Sequence, residues 1–144
     1  MDFSLTSEQE LVRETARAFC DREVTPHARD WDREEELDPD LVGKLAEVGF
    51  LAGWELDTLS YCLVMEELGV ADSSVRGIVS VTVGLVGKTI KQWGTDAQVE
   101  EWIPKLGSGE ALGCYALTEP GSGSDPASLT TRAERAGDDW LISG

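Results

Sequence analysis

The residues best suited to chemistry lie together at positions 112–125, which read Leu-Gly-Cys-Tyr-Ala-Leu-Thr-Glu-Pro-Gly-Ser-Gly-Ser-Asp. Gly121 and Gly123 let backbone N–H groups approach a ligand closely, and successive N–H groups in such loops bind anions. Hydroxyl groups in the same loop can donate hydrogen bonds to carbonyl or phosphate oxygens. They belong to Thr118, Ser122 and Ser124. The loop suits a ligand with a polar ring edge and a pyrophosphate, and a tight surface turn is the alternative.

Two common phosphate-binding motifs do not fit this loop. A dinucleotide-binding fingerprint requires a helix to begin directly after the glycines, and no helix start follows Ser124. A Walker loop requires Gly-Lys followed by Ser or Thr, which is absent here.

Metal and nucleophilic chemistry have little support. Cys20, Cys62 and Cys114 lie far apart and match neither a metal spacing nor a disulfide framework, so reduced thiols are expected. His27 is the only histidine, so any Ser-His or Cys-His pair would have to use it. We interpret it as a surface residue after a helix, and we predict no metal site.

The charge of the chain excludes several partners. Its 28 acidic and 12 basic residues give a net charge of −16, which repels nucleic acids and anionic membranes. The surface is either simply acidic or adapted to high salt. No apolar run approaches the roughly 20 residues of a membrane span, and positions 1–4 do not resemble a secretory signal. We therefore expect a cytoplasmic protein.

Helical signals dominate the first half. A capping box of Thr6 and Gln9 opens the first helix, which Pro26 ends. A second helix is predicted from Asp38, with Pro39 at its first position, to Gly49. A third helix is predicted over 57–69, ended by a glycine, and the charged stretch 30–36 is predicted to be solvated.

The stretch 75–93 is ambiguous, since its many valines also suit strands. About twenty residues without a turn signal favour a helix instead. Asp72 can cap its start and Gly94 can end it, so we predict a buried central helix. Thr95 and Gln98 form a second capping box for a short helix that ends at Pro104.

The pattern changes after the glycines at 107–109. We predict a strand over 112–118, a turn-rich loop over 119–125 and a hairpin over 130–143. So few strands do not make a stable sheet alone. The predicted fold is therefore mainly α, with a helical domain over 1–109 followed by an incomplete sheet over 110–144.

The stretch Tyr115-Ala-Leu-Thr-Glu-Pro-Gly-Ser-Gly-Ser-Asp125 resembles the signature of the acyl-CoA dehydrogenase family. Other parts of the chain resemble the family as well: the start of its first helix, its third helix and the segment that leads into the β-domain. These parts are Thr6-Ser-Glu-Gln-Glu10, Ser60-Tyr-Cys-Leu-Val-Met-Glu-Glu-Leu68, Gly94-Thr-Asp-Ala-Gln98 and Pro104-Lys-Leu-Gly-Ser-Gly109.

The resemblance implies an amino-terminal helical bundle followed by the first strands of a flavin-binding middle β-domain. It implies FAD as cofactor and oxidation of an acyl-CoA thioester at its α,β bond to the trans-2-enoyl-CoA. A carboxylate base, usually glutamate, removes the α-proton, and electrons pass on to an electron-transferring flavoprotein. An acyl-CoA oxidase-like flavoenzyme and a non-catalytic helical interaction fragment are the alternatives.

Residue by residue, the resemblance places Tyr115, Leu117 and Thr118 against the flavin ring. It places Gly123 and Ser124 at the flavin, at its pyrophosphate, or at both, and Ser124 also at the acyl-CoA. The family tolerates alanine at the position of Ser122, a neighbour in the same loop. The central helix around 79–85 is expected to help wall the acyl pocket.

Two acidic residues of the motif are expected to have other roles. Asp125 should fix the turn through an Asx-type hydrogen bond. Glu119 lies beside the flavin loop, but the family's base lies in a carboxy-terminal helical domain. We therefore expect no catalytic residue within this chain.

The chain departs from the family in two ways. It is much shorter, so the rest of the β-domain and the carboxy-terminal domain are absent from these 144 residues. The connection at 50–56 is also shorter than the family's usual loop, which puts the helix packing near Trp54 in doubt. The full-length protein is expected to be a homo-oligomer.

The net charge of −16 generates a first prediction about stability. Added salt should stabilise the fold, because at 1 M salt the Debye length falls to about 3 Å and repulsion between carboxylates is screened. The melting temperature should therefore rise clearly from low to molar potassium chloride. A melting temperature that does not change over this range would contradict the prediction.

Overall fold

The computed structural model describes residues 4–144, so part of the amino-terminal start considered above lies outside it. Seven α-helices occur in the described chain: α1 Ser7–Phe19, α2 Ala28–Glu34, α3 Leu41–Glu47, α4 Thr58–Ala71, α5 Ser73–Val79, α6 Lys88–Trp93 and α7 Asp96–Ser108. The π-helical turns Cys20–Val24 and Ser80–Gly87 extend α1 and join α5 to α6. Short 3-10 helices span Phe50–Glu55 and Pro126–Ser128, and the two strands are β1 Arg132–Ala136 and β2 Asp139–Ser143. The mainly α prediction is confirmed.

Helix α1 begins as predicted, with the Thr6–Gln9 capping box formed in both directions. Its outer face is tied to α4 by two hydrogen bonds from the Arg17 guanidinium to the Glu67 carboxylate, at 2.6 and 3.0 Å. Because Glu67 is nearly buried, this bidentate pair is held more rigidly than a surface ion pair.

Most of the charged stretch 30–36 belongs to a helix, Ala28–Glu34, which the sequence analysis did not identify. Its side chains are mostly exposed, as expected, but Trp31 packs partly against the core. Arg33 also pairs with Asp30 at 2.8 Å on the helix surface. His27 is exposed at the start of this helix and stacks on Trp31.

Two predicted helix ends in the middle of the chain shift. The second helix begins at Leu41 rather than after Asp38, because the Asp38 carboxylate accepts a hydrogen bond from the Asp40 N–H and forms a turn there. The third helix continues past Gly69 to Ala71. Gly69 therefore lies inside the helix, where its Cα faces the Arg76 side chain: a Cβ built there would lie 3.1 Å from Cδ of Arg76.

The predicted central helix is confirmed as one continuous helical run from Ser73 to Trp93, with a π-helical middle. The Asp72 carboxylate caps its start by accepting hydrogen bonds from the N–H groups of Ser74 and Val75. One side of this run is buried in the core of the helical unit. The buried residues are Val75, Val79, Thr82, Val83 and Gly87.

The short connection Phe50–Glu55 packs directly on the central helix. The Trp54 indole lies where a side chain at Gly87 would be, since a Cβ there would come within 2.7 Å of the ring. The same indole faces Gly107 of α7, at 3.4 Å from a Cβ built there. Tyr61 of α4 fills the neighbouring space at Gly84. Glycines on two helices thus make room for aromatic rings on the connection and on α4.

The core joins α1, α3, α4, the connection and the central helix. Its fully buried members are mainly aliphatic, with one aromatic pair of Phe19 and Phe50 at 5.4 Å between ring centroids. The aliphatic members include Val24, Leu41, Leu45, Leu51, Val64, Leu68, Val75, Val79 and Val83. Burial of about nine such side chains is the main stabilising term of the helical unit.

The prediction that Pro104 ends the last helix is wrong, because α7 continues to Ser108. Proline removes one backbone donor from the helix, but the Thr95–Gln98 capping box and the buried Leu106 stabilise the helix on either side. Gly109, at φ 77°, provides the left-handed residue that ends it.

Residues up to Cys114 form one compact unit, and Tyr115–Gly144 form a second. The second unit contains the predicted hairpin, with Ala133 opposite Ile142 and Gly137 in the left-handed region of its turn. The predicted strand over 112–118 is wrong, because within the described chain this stretch has no strand partner. We retain the domain assignment of 1–109 and 110–144 as a proposal. No helix of the described residues is both long and apolar enough to cross a bilayer.

The close approach of Trp54 to the central helix generates a second prediction. Gly87→Ala should destabilise the helical unit by about 1–3 kcal/mol, because the new methyl group would overlap the indole. Gly43→Ala is the matched control: Gly43 is exposed in α3 with nothing within 4 Å, so alanine should stabilise by roughly 0.5–1 kcal/mol. The free energies of unfolding of both variants, measured by urea denaturation against the wild type, test the prediction. The same sign of change in both variants would show that the indole contact does not matter.

Candidate functional site

The glycine- and serine-rich loop is built around one tight turn. The backbone of Glu119 and Ser122 exchanges two hydrogen bonds, N–H to O at 2.9 and 3.1 Å, across Pro120 and Gly121. Ser122 is 4% exposed, and its hydroxyl donates to the Asp125 carbonyl oxygen at 2.7 Å. Ser122 is therefore an internal part of the turn.

Asp125 fixes the end of the loop as predicted. Its carboxylate accepts a hydrogen bond from the Ala127 N–H at 3.2 Å and caps the short helix Pro126–Ser128. The Ser128 hydroxyl donates to the Asp125 carbonyl oxygen at 2.8 Å. The loop is thus closed by its own side chains, independently of any ligand.

Glu119 connects the loop to the start of the hairpin. Its carboxylate accepts hydrogen bonds from the N–H groups of Thr130 and Thr131, each at 2.8 Å, and from both threonine hydroxyls. The hydrogen bond from the Thr131 hydroxyl contributes most to lowering the pKa of Glu119, which falls from 4.5 to about 2. A general base works best with a pKa near the working pH. Glu119 therefore acts as a structural carboxylate in this loop.

The predicted cofactor residues lie on the outside of this closed turn. Tyr115 and Leu117 are 49% and 42% exposed, although large apolar side chains usually avoid water. Thr118 and Ser124 are exposed as well, and no hydrogen bond within residues 4–144 involves either hydroxyl. The structure brings Gly123 next to Thr118, whose methyl group lies 4.0 Å from a Cβ built on the glycine.

This arrangement fits the expected flavin. The exposed ring of Tyr115 and the side chain of Leu117 offer apolar contact to a flat ring system. The hydroxyls of Thr118 and Ser124 are free to hydrogen-bond to its polar edge or to a phosphate. Gly121 has no atom within 4 Å of a Cβ position, so a ligand can approach its backbone.

Other reactive groups do not form a site. Cys20 is buried, which raises the pKa of its thiol to about 11, so it stays protonated. Cys62 and Cys114 are exposed and unpaired with each other. Among residues 4–144, no group of three or more side chains is placed to hold a metal ion.

Sequence reasoning missed two features of this region. The burial of Ser122 results from the folded turn. Neither its residue type nor its spacing in the sequence distinguishes it from Ser124. The pairing of Glu119 with Thr130 and Thr131 joins residues 11 and 12 positions apart, beyond the reach of any local pattern. The strand β1 starts at Arg132, opposite Ser143 at the end of β2, rather than at Thr130.

The chain is similar to known proteins over nearly its whole length. The model of the "Acyl-CoA dehydrogenase, N-terminal domain" family matches residues 6–110. The short-chain specific acyl-CoA dehydrogenase of Bos taurus mitochondria is 35% identical over 97% of the chain, and the (2S)-methylsuccinyl-CoA dehydrogenase of Cereibacter sphaeroides is 39% identical over 97%. A crystal structure of glutaryl-CoA dehydrogenase from Mycobacterium smegmatis superposes with a TM-score of 0.89, at 37% identity over 97% of the chain. The chain spans 36%, 27% and 38% of these three proteins.

The two serines of the loop generate a third prediction, to be measured in the full-length protein. Ser124→Ala should weaken flavin retention or acyl-CoA turnover at least several-fold, because a hydrogen bond to a charged group contributes about 1.5–3 kcal/mol. Ser122→Ala should lower stability by about 0.5–1.5 kcal/mol through loss of its bond to Asp125. It should change turnover by less than about twofold. Equal effects of both substitutions on flavin content would show that the loop is only a turn.

The low pKa of Glu119 generates a fourth prediction. Because its pKa is lowered on folding, Glu119 stabilises the fold fully above pH 4.5, and the stabilisation is lost as the pH falls toward about 2. The difference in free energy of unfolding between the wild type and Glu119→Gln should therefore be constant near neutral pH. It should shrink as the pH falls from 4.5 to about 2.

Amide exchange at Thr130 and Thr131 is the local measurement of the same effect. Both amides should be protected in the wild type at neutral pH and should exchange faster in Glu119→Gln. A stability difference that persists unchanged down to pH 2 would refute the role given to the carboxylate.

Proposed function

We propose that this chain, which belongs to the acyl-CoA dehydrogenase family, supplies the amino-terminal part of an FAD-dependent enzyme that oxidises acyl-CoA thioesters at the α,β bond. The observation that carries the proposal is the loop 115–125. Its turn is closed by internal hydrogen bonds, while apolar side chains and two unbonded hydroxyls remain on the outside. A loop ordered before binding needs little rearrangement to hold a ligand.

Different residues of the loop would contact the cofactor and the substrate. Tyr115, Leu117 and Thr118 would lie against the flavin ring, and Gly123 and Ser124 at its polar edge or pyrophosphate. Bound FAD would supply the acceptor for the hydride that leaves the β-carbon. Ser124 would also contact the acyl-CoA, where donors to the thioester oxygen stabilise the charge that forms when the α-proton leaves.

The central helix would form one wall of the acyl pocket. Its buried side is occupied by the core, so the wall would come from the remaining side, where Val81 is partly buried and Leu85 is exposed. These are aliphatic side chains, which suit contact with the carbons of an acyl chain.

The reaction partners follow from the same proposal. Electrons would pass to an electron-transferring flavoprotein, and the full-length protein would be a cytoplasmic homo-oligomer. An acyl-CoA oxidase on the same fold would instead pass electrons to oxygen, and a non-catalytic helical fragment would bind neither FAD nor acyl-CoA.

Anaerobic mixing of the flavin-loaded full-length protein with a panel of acyl-CoA thioesters tests the proposal. The absorbance of oxidised flavin should fall, 2-enoyl-CoA should form, and an added electron-transferring flavoprotein should be reduced. Rapid hydrogen peroxide formation in air would identify an oxidase instead. A full-length protein that binds no flavin, or whose flavin no acyl-CoA reduces, would contradict the proposal.

A further inference from the structure

A buried hydroxyl group lies in the middle of the central helix. It belongs to Thr82, which is 1% exposed, between aliphatic core residues such as Val79 and Val83. A hydroxyl in such surroundings costs free energy unless it has a hydrogen-bond partner. The Thr82 Oγ1 atom accepts a hydrogen bond from the N–H group of Gly113, at 3.3 Å. This bond joins the central helix to the segment that follows α7.

Among the described residues, this is the only hydrogen bond that holds the stretch 112–118. No other backbone or side-chain group of the stretch makes a hydrogen bond within residues 4–144. Hydrogen bonds resume at Glu119, with the turn to Ser122. Thr82, which precedes Gly113 by 31 positions, is thus the polar anchor of the segment that leads to the proposed flavin contacts.

A second contact places the same glycine directly on the helix. A Cβ built on Gly113 would lie 2.7 Å from Cβ of Val86 and 2.8 and 3.0 Å from its methyl carbons, so a larger residue does not fit there. Val86 belongs to the same π-helical segment as Thr82, Ser80–Gly87. Such turns are rare and often occur at functional sites. The hydroxyl and the valine together fix the backbone of Gly113 at two points.

Gly113 also stands close in the chain to the residues proposed for the cofactor. Two residues span at most about 7 Å of extended chain, so the position of Gly113 restricts where Tyr115 can lie. On the helix, Thr82 directly follows Val81 and precedes Leu85, the two residues proposed for the wall of the acyl pocket. One helical segment therefore carries both the proposed acyl wall and the anchor of the proposed flavin segment.

We infer that Thr82 is a positioning residue for flavin reduction: its hydroxyl holds the backbone at Gly113, and through it the flavin contacts from Tyr115 onward. The inference rests on the proposed function. Thr82 touches neither cofactor nor substrate and acts through the chain segment alone. Its loss should therefore affect the rate of the reaction more than substrate binding, since misplacement by 1 Å lowers a rate by up to about a hundredfold.

Two substitutions of Thr82 test the inference in the flavin-loaded full-length protein. Thr82→Val keeps the branched shape but removes the hydrogen-bond acceptor, whereas Thr82→Ser keeps the hydroxyl. The limiting rate of flavin reduction at saturating acyl-CoA should fall at least about fivefold in Thr82→Val and recover in Thr82→Ser. The dissociation constant of the acyl-CoA should change by less than about twofold. Anaerobic stopped-flow absorbance measures both, with the panel thioester that the wild type oxidises fastest.

Two further variants separate positioning from stability. In Gly113→Ala the new methyl group would overlap Val86 and displace the segment, so the same limiting rate should fall. Thr89→Val is the control, because Thr89 is exposed on α6 and its hydroxyl makes no hydrogen bond within residues 4–144. Hydrogen exchange of the Gly113 amide should be faster in Thr82→Val and unchanged in Thr89→Val. Melting temperature and flavin content show that each variant is folded.

The outcomes distinguish the inference from the proposed function. A folded Thr82→Val with the limiting rate and flavin affinity of the wild type would overturn the inference, as would a Thr82→Ser that is as slow as Thr82→Val. If Thr82→Val does not fold, Gly113→Ala decides, and a wild-type limiting rate there would overturn the inference. In each case, reduction of the wild-type flavin by acyl-CoA leaves the proposed function intact. A wild-type flavin that no thioester reduces would contradict the proposed function itself, and the inference with it.

Discussion

The contact between Trp54 and the glycines of two helices is the constraint on which the helical unit depends. The indole occupies the space beside Gly87 of the central helix and faces Gly107 of α7. Lys91 lies 5.9 Å above the ring and pairs with Glu55 at 2.7 Å, which holds the connection from its outer side. One aromatic ring therefore sets the spacing of the connection, the central helix and α7. The short connection, whose packing the sequence leaves in doubt, is a fixed part of the core.

Because the central helix is held in place by the core, the residues on its side away from the core are fixed as well. Since Val75, Val79 and Val83 are buried in the core, the opposite side of the stretch 73–87 presents mostly small and aliphatic residues. The loop 115–125 is a glycine-rich segment that is ordered by its own hydrogen bonds, without a ligand. There Glu119 acts as the anchor, because a carboxylate can accept several hydrogen bonds from neighbouring backbone and hydroxyl donors at once. Packing orders the first region, and polar bonds order the second.

Local signals in the sequence were sufficient for much of the fold. Both capping boxes, the Asp72 cap and the central helix are confirmed, because each depends on residues close together in the chain. The ends at Gly69 and Pro104 were wrong because tertiary packing of α4 and α7 outweighed the local preference of a single residue. The site was predicted less completely. The signature indicates which residues are expected at the cofactor, but the partners of Glu119 and the burial of Ser122 depend on contacts that only the folded chain brings together.

The most direct test of this account is a crystal structure of the full-length protein with FAD and a non-reacting acyl-CoA thioether. The account predicts that the turn at Glu119 and Ser122 keeps its hydrogen bonds, with the Thr118 and Ser124 hydroxyls within hydrogen-bond distance of the flavin or the thioether. The free side of the central helix, with Val81 and Leu85, should face the acyl chain. A complex in which the loop faces solvent, or in which FAD binds elsewhere, would contradict the account.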